Sequence, residues 1–175
     1  FFSEIISSIS DVRFSHDGRY ILSRDYLTLK VWDVNMESRP LATIPIHDYL
    51  RPKLCDLYEN DCIFDKFEGN WGPTGSTVLT GGYSNYFHLI DWERDSSVVL
   101  QADKSAFKSK KLASANKANG RTPASAGGVG TVNPNNIDFN KKILHASYHP
   151  REETIAIAAT NNLFIFSANN PAGMP

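Results

Sequence analysis

Three stretches of the sequence hold residue types that could do chemistry. Residues 15–18 (SHDG) contain the types of a hydrolase triad, but triads are assembled across a fold, and a run ending in Asp-Gly is typical of a hairpin turn. His145 and His149 have the spacing of two metal ligands on a helix, yet Pro150 follows and favours a strand end. The glycines of 127–130 neither follow a strand nor open a helix, which argues against a phosphate-binding loop. We therefore predict no catalytic residues, no metal site and no cofactor.

Residues 23–34 (SRDYLTLKVWDV) show the clearest secondary-structure pattern of the chain and contain several charged residues. From residue 27 onward, apolar and other side chains alternate, which predicts a half-buried strand entered by a tight turn. Asp25 is expected to accept backbone N–H bonds and fix that turn. Trp32 is expected to pack between neighbouring blades, and Asp33 to cap the strand end or pair locally. These three residues are thus interpreted as architecture.

A repeat organises the chain around this strand. Three segments share a first strand ending in an aromatic residue, a turn, an alternating second strand, a short turn and a third strand: 11–34, 66–92 and 144–167. Candidate fourth strands follow at 40–46 and 97–101. The sequence therefore predicts an all-β protein, with three four-stranded blades of a β-propeller of the WD-repeat type.

The spacing of the repeats reveals two insertions. Phe14 to Trp71 spans 57 positions and Trp71 to Tyr148 spans 77, whereas such blades repeat at roughly 40 to 45 residues. Residues 103–135 account for the extra length between the second and third repeats. They contain six Lys or Arg and one acidic residue, which predicts a disordered basic loop. Residues 47–66 account for the extra length between the first and second repeats, and their aromatic, aliphatic and charged composition without Gly predicts an ordered insert.

The chain divides accordingly into six parts, with a short helix expected at about 52–59 in the insert. The predicted parts are a blade at 1–46, the ordered insert at 47–66, a blade at 67–102, the basic loop at 103–135, an incomplete final blade at 136–170 and a tail at 171–175.

Topology predicts that the unusual features meet at one end of the blades. In an antiparallel meander, the turn between the second and third strands lies at the same end as the connection to the next blade. Both insertions are such connections, and residues 1–2 precede the first strand at this end. The turns at 24–26, 83–85 and 161–162 join them. We call this end the rim, and loops placed by a rigid scaffold commonly carry function.

The insert supplies the candidate binding residues. Tyr58 and Phe64 lie among the charged residues Glu59, Asp61 and Lys66. Aromatic anchors beside charged groups suit protein recognition. The same aromatic residues could instead pin the insert to the blade, and the residues alone leave both interpretations open.

Composition limits the partners and the compartment. The 175 residues carry a formal net charge of −1, with no strong field to attract nucleic acid or an anionic membrane. No apolar run reaches the roughly 18 residues of a membrane-spanning helix. Cys55 and Cys62 form no Cys-x-x-Cys pair and are expected to be free thiols in a reducing compartment. A cytoplasmic or nuclear location is therefore expected, and the lack of an initial Met suggests that the chain starts inside a larger protein.

At this point several segments closely resemble one family. FFSEIISSISDVRFSHDGRY, SRDYLTLKVWDVNMESRP, KLCDLYENDCIFDKFE and IDFNKKILHASYHP, with TNNLFIF near the end, are similar to the C-terminal three blades of the WD-repeat B-type (55 kDa) regulatory subunit of protein phosphatase 2A. The resemblance covers nearly the whole chain except 103–135 and the last few residues. LYENDCIFDKF makes it far more specific than a Trp-Asp pair.

The resemblance implies a function without catalysis by this chain. It implies a seven-bladed propeller that docks on a HEAT-repeat scaffold subunit, sits beside the catalytic subunit and selects phosphoprotein substrates. It carries a substrate-binding role to Tyr58, Asp61, Phe64 and Lys66, with Phe1 as a wall of the groove. Acidic Asp61 and Glu59 would favour basic or amphipathic substrate segments. Three blades alone would leave strand edges unpaired, so we expect such a piece to be unstable in isolation.

Two rival functions remain at this stage. The first is a WD-repeat scaffold or adaptor of a complex with no phosphatase, which would use the same rim. The second is an enzyme with its active site at the mouth of the propeller, for which these blades offer carboxylates and only His47 as a candidate rim histidine. Co-purifying subunits would separate the first rival from the phosphatase interpretation.

Overall fold

The structure is a computed structural model that describes residues 1–103 and 136–168. Within these residues, antiparallel strands form three sheets. The first sheet contains β1 Asp11–Phe14, β2 Tyr20–Arg24, β3 Thr28–Asp33 and β4 Ala42–Pro45; the second contains β5 Gly69–Trp71, β6 Thr77–Gly81, β7 Tyr86–Asp91 and β8 Ser96–Gln101; the third contains β9 Ala146–Tyr148, β10 Thr154–Ala159 and β11 Asn162–Ser167.

Each sheet is a meander in chain order, as the repeat predicts. The aromatic residues Phe14, Trp71 and Tyr148 each end the first strand of their sheet. Neighbouring strands pair antiparallel throughout, so the all-β, blade-like architecture predicted from the sequence is confirmed. The predicted basic loop falls almost entirely at 104–135 and the predicted tail at 171–175, both outside the described residues.

Apolar side chains at the alternating strand positions join the blades. Between the first and second blades, Leu29 and Val31 of β3 pack in one buried cluster with Trp71, Val78 and Ile90. Each fully buried aliphatic side chain contributes roughly 1.5 to 3 kcal/mol by leaving water. A second cluster joins blades two and three: Leu79, Phe87, Ile143, Ile155, Ile157 and Phe164.

Trp32 does not lie between the described blades. Alternation along β3 turns Leu29 and Val31 towards the second blade and therefore turns Trp32 to the opposite face. There it shares a shallow apolar depression with Val12 and Ile21, and its indole N–H donates to the Ser23 hydroxyl at 2.8 Å.

The insert between the first two blades is ordered and helical. It contains a 3₁₀ helix at Asp48–Lys53, helix α2 at Leu54–Glu59 and a second 3₁₀ helix at Cys62–Phe64. The α-helix starts two residues later than predicted, because Pro52 and Lys53 belong to the preceding 3₁₀ helix. A further short helix, α1, occupies Phe2–Ile6.

Candidate protein-binding rim

The rim is held together by a third buried cluster, made from segments remote in sequence. Tyr26 and Leu27 come from the turn of the first blade, and Tyr83 from that of the second. The insert and the residues around it complete the cluster: Leu50, Leu57, Ile63 and Phe67, with α1 residues Phe2, Ile5 and Ile6 packed against them. The turns of the first two blades, the insert and the start of the chain therefore meet at one end, as topology predicts. The third turn joins this end beside the second, because Thr160 and Asn162 line a pocket with Ser84 and Asn85.

Asp25 is a structural residue of the first rim turn. It is buried, and its Oδ1 accepts the backbone N–H groups of Leu27 at 3.0 Å and Thr28 at 2.6 Å. Its Oδ2 accepts the Thr28 hydroxyl at 2.6 Å and pairs with the ammonium of Lys30. Burial raises the pKa of Asp25, but the bonds from Lys30 and Thr28 outweigh burial and hold it below its usual value. These are the contacts of an Asx turn.

Asp33 pairs locally at the other end of the same strand. Its carboxylate accepts the backbone N–H of Asn35 at 2.9 Å and lies 3.1 Å from the guanidinium of Arg19. The hydrogen bond from Asn35, followed by that from Arg19, lowers the pKa of Asp33 against the opposing effect of burial.

The triad-like and metal-like sequences are also turns. The hydroxyl of Ser15 donates to Asp17 at 2.5 Å and accepts the backbone N–H of Tyr20, while His16 is exposed. His149 accepts two backbone N–H groups of its own turn, and His145 lies against Glu68 at 2.9 Å. Within residues 1–103 and 136–168, no group of three or more His, Cys, Asp or Glu is placed to hold a metal ion.

The end of the insert turns its aromatic and charged residues outward. Leu57 and Ile63 are 2% exposed and anchor α2 and the second 3₁₀ helix from below. Between them the chain reverses at Asp61, which has a left-handed φ of 58°. Anchoring on one face and reversal between the helices leave Tyr58 40% exposed and Phe64 51% exposed.

The structure brings three of the predicted site residues into one aromatic wall. The ring of Phe1 lies 5.5 Å from that of Tyr58, and the ring of Tyr58 lies 5.8 Å from that of Phe64. Phe2, which the sequence analysis did not select, contacts both Phe1 and Tyr58 at 5.4 and 6.0 Å. Edge-to-face aromatic pairs of this kind contribute about 0.5 to 1.5 kcal/mol beyond their buried area.

A groove of about 350 Å³ runs between α1 and the second 3₁₀ helix. Its apolar lining includes Ile5, Ile9 and Ile63, its inner wall is Tyr26, and Phe64 connects it to the aromatic wall. Sequence reasoning missed the α1 side of this groove. The signal was present, because Phe2, Ile5 and Ile6 follow the apolar spacing of one helix face.

Some charged residues near the groove have ion-pair partners and others do not. Asp65 accepts the hydroxyl of Tyr83 at 2.8 Å and pairs with Lys142 at 2.5 Å. Glu59, Asp61 and Lys66 are exposed and have no ion-pair partner in the described part of the chain. Lys66 lines the groove itself, whereas Glu59 and Asp61 lie beyond its lining. The charges that the sequence selected are therefore free to meet a partner.

His47 is not a rim residue open to solvent. It is fully buried beneath the groove, and burial, followed by the nearby charge of Arg24, lowers its pKa well below the usual value. The apolar and aromatic lid formed by the insert removes it from solvent, so it offers no acid or base to a rim substrate.

The fold and rim define the class of protein, a β-propeller of the WD-repeat type. A chain of the mitotic checkpoint complex matches it with a TM-score of 0.53 and 14% identity, covering 92% of this chain and 37% of that chain. That likeness concerns the fold alone. No protein-family model matches the sequence. No helix in the described ranges is long and apolar enough to cross a membrane.

Sequence relatives then identify the family. The B-type regulatory subunit of protein phosphatase PP2A from Schizosaccharomyces pombe is 59% identical, with 95% of this chain and 40% of that protein covered. The beta isoform of the 55 kDa B-type regulatory subunit from Carassius auratus is 53% identical and the human gamma isoform 52%, covering 95% of this chain and 37% and 36% of those proteins. The chain belongs to this family of 55 kDa B-type regulatory subunits of serine/threonine protein phosphatase 2A, and it spans about two fifths of these relatives' length. The sequence resemblance is confirmed, and by their names the relatives are regulatory, not catalytic, subunits.

Proposed function

We propose that this chain is part of a non-catalytic substrate-specificity subunit of a protein phosphatase 2A holoenzyme, and that its rim binds substrate segments. Family membership supports the regulatory role. The observation that carries the rim assignment is the groove itself, which joins an exposed aromatic wall to charges without ion-pair partners in the described chain. The partners we propose are a HEAT-repeat scaffold subunit, the catalytic subunit and phosphoprotein substrates, with no nucleic acid or membrane, in the cytoplasm or nucleus.

Each part of the rim would recognise a different feature of a substrate segment. The apolar groove and the wall of Phe1, Tyr58 and Phe64 would take an apolar anchor residue. Glu59 and Asp61 would attract basic residues and set the direction of the segment. Lys66 would donate to a backbone carbonyl or an acidic group. Held in this way, a segment would raise the concentration of a nearby phosphorylated residue at another subunit's active site.

The test is a pull-down of the full-length protein in its wild-type, Asp61→Lys and Phe64→Ala forms, followed by mass spectrometry. We expect the scaffold and catalytic subunits with all three forms. Phosphoprotein partners should be depleted from both variants, about tenfold for the charge reversal and about 30-fold for loss of the aromatic anchor. A matched control is Arg94→Ala, which removes an exposed charge from the opposite end of the second blade.

Two results would contradict the proposal. Recovery of neither phosphatase subunit with the wild-type protein would favour an adaptor of another complex. Recovery of unchanged phosphoprotein partners with both variants would keep the regulatory role and remove the rim as its binding surface.

A further inference from the structure

A fully buried arginine lies beneath the rim groove, at the end of β2. The guanidinium Nη1 of Arg24 donates to the carbonyl oxygens of Asp25 at 2.8 Å and Thr28 at 2.9 Å. Nη2 lies 3.3 Å from Nδ1 of His47, and Cζ lies 5.5 Å from the centre of the Phe67 ring. We call these contacts the Arg24–His47 cluster. It contains no carboxylate bonded to the guanidinium, because the Asp25 carboxylate bonds its own turn instead.

Arginine is an energetically unfavourable residue at a buried position that needs only a side chain of the right volume. Burial lowers the pKa of Arg24 to about 10, so the side chain is still charged at neutral pH. Burying a charge is costly even after the structure relaxes, and a well-packed apolar side chain is often the more stabilising choice. What the guanidinium supplies beyond volume is direction, because its planar fork fixes several acceptors at once. The cluster therefore positions the segments it joins.

His47 extends the cluster to the second blade. Its Nδ1 lies 3.1 Å from the carbonyl oxygen of Tyr26, and its ring is 4.9 Å from that of Phe67 and 5.4 Å from that of Tyr83. A Cβ at Gly82 would lie 2.8 Å from Nε2, so the second blade leaves room for the ring only because this residue is glycine. His47 begins the insert and Phe67 follows it, so both ends of the insert are held at this point.

Tyr26 connects the cluster to both walls of the groove. Its carbonyl oxygen faces His47, and its backbone N–H donates to the carbonyl oxygen of Ile6 at the end of α1 at 3.2 Å. Its hydroxyl lies 2.8 Å from that of Tyr83. The Tyr83 hydroxyl in turn lies 2.9 Å from the carbonyl oxygen of Cys62 and 2.8 Å from Asp65, at the second 3₁₀ helix.

We propose that Arg24 and His47 are positioning residues for the rim groove, which set the separation of α1 from the second 3₁₀ helix without lining the groove. This inference rests on the proposed function of the rim. Loss of either side chain should loosen the groove and weaken capture of a segment, although every residue facing that segment remains.

The experiment measures the split between KM and kcat in the holoenzyme assembled with the full-length protein. One probe is a synthetic phosphopeptide that carries a basic amphipathic segment, and the other is a short phosphopeptide without it. For Arg24→Met and His47→Gln, we expect KM for the first probe to rise about tenfold with kcat unchanged, and both constants for the second probe to stay at wild-type values. Arg24→Lys should not restore KM, because a single ammonium cannot replace the guanidinium fork. Arg19→Met, an exposed arginine of the same blade paired with Asp33 at the opposite end, is the control and should leave both probes unchanged.

A wild-type KM for the first probe in assembled Arg24→Met and His47→Gln holoenzymes would overturn the inference. If Arg24→Met does not assemble, Arg24→Lys and His47→Gln decide the question by the same criterion. The variant Phe64→Ala shows whether such a result contradicts only this inference or also the proposed function of the rim. If Phe64→Ala raises KM and the cluster variants do not, the rim binds substrate but the cluster does not position it. If Phe64→Ala also keeps the wild-type KM, the rim is not the binding surface.

Discussion

The two ends of the blades are closed in different ways. At the end away from the rim, turn side chains bond mainly nearby residues, as Ser15 does with Asp17, although the indole N–H of Trp71 also donates to the carbonyl oxygen of Arg13 in the first blade at 3.1 Å. At the rim, local bonds such as those of Asp25 are joined by bonds between segments remote in sequence, as Lys142 makes with Asp65, 77 positions away. A turn held mainly by local contacts tolerates change better, because it depends on fewer remote residues. Remote contacts make a surface whose shape depends on all of its parts, and in the described chain it is this end that carries a groove beside exposed aromatic side chains.

Truncating Phe67 at the rim should cause the largest loss of stability among these variants. This ring is fully buried against His47, Tyr26 and Tyr83, so Phe67→Ala should lower the free energy of unfolding of the full-length protein by about 3 to 5 kcal/mol. Urea unfolding followed by tryptophan fluorescence would measure it. The control variant is Arg94→Ala, an 82% exposed side chain in an outer turn of the second blade, for which we expect little change. Equal losses for the two would contradict the comparison.

Lowering the pH should weaken the protein through the buried His47 and the half-buried His88. Burial, followed by Arg24, lowers the pKa of His47 well below its usual value and that of His88 to about 4. The unfolded chain therefore takes up protons below about pH 6.5 that the folded chain does not, and stability falls as the pH drops from there towards the folded values. His88 should account for about 1.4 kcal/mol between pH 7.5 and pH 5.5, and His47 should lower stability in the same direction. Urea midpoints at the two pH values test this, and His47→Gln should reduce the dependence; an unaltered dependence would contradict the buried neutral imidazole.

The hydroxyl pair of Tyr26 and Tyr83 gives a smaller effect. Tyr83→Phe removes the partner of the buried Tyr26 hydroxyl and one donor to Asp65, so a loss of roughly 1 to 2 kcal/mol is expected. The double variant with Tyr26→Phe should lose less than the sum of the two single variants, because no orphaned hydroxyl remains. Additive losses in a double-mutant cycle would show that the two hydroxyls act independently.

The smallest effect belongs to the end away from the rim. Arg19→Met removes a partly exposed ion pair with Asp33, and such pairs contribute about 0 to 1 kcal/mol. Thermal unfolding in low and high salt should show a shift near the limit of detection, with even less in high salt. A loss comparable to that of Phe67→Ala would mean that this end is as cooperative as the rim.

The sequence by itself determined the strands, their order and the residues available to the rim. Alternation along β3, the Asx turn at Asp25 and the aromatic residues ending each first strand depend on neighbours within a few positions, so they can be recognised from the printed letters. Tyr58, Phe64 and Phe1 could be selected in the same way, through composition, topology and family resemblance.

Only the tertiary structure decided which of these residues meet and which are hidden. Trp32 faces away from the second blade, His47 is buried, and α1 forms one wall of the groove. The position of Arg24 beneath the rim follows from contacts with His47 and Phe67, which lie 23 and 43 positions further along the chain. Burial and pairing across such separations depend on how blades pack against one another, and local patterns of residue type do not encode that packing.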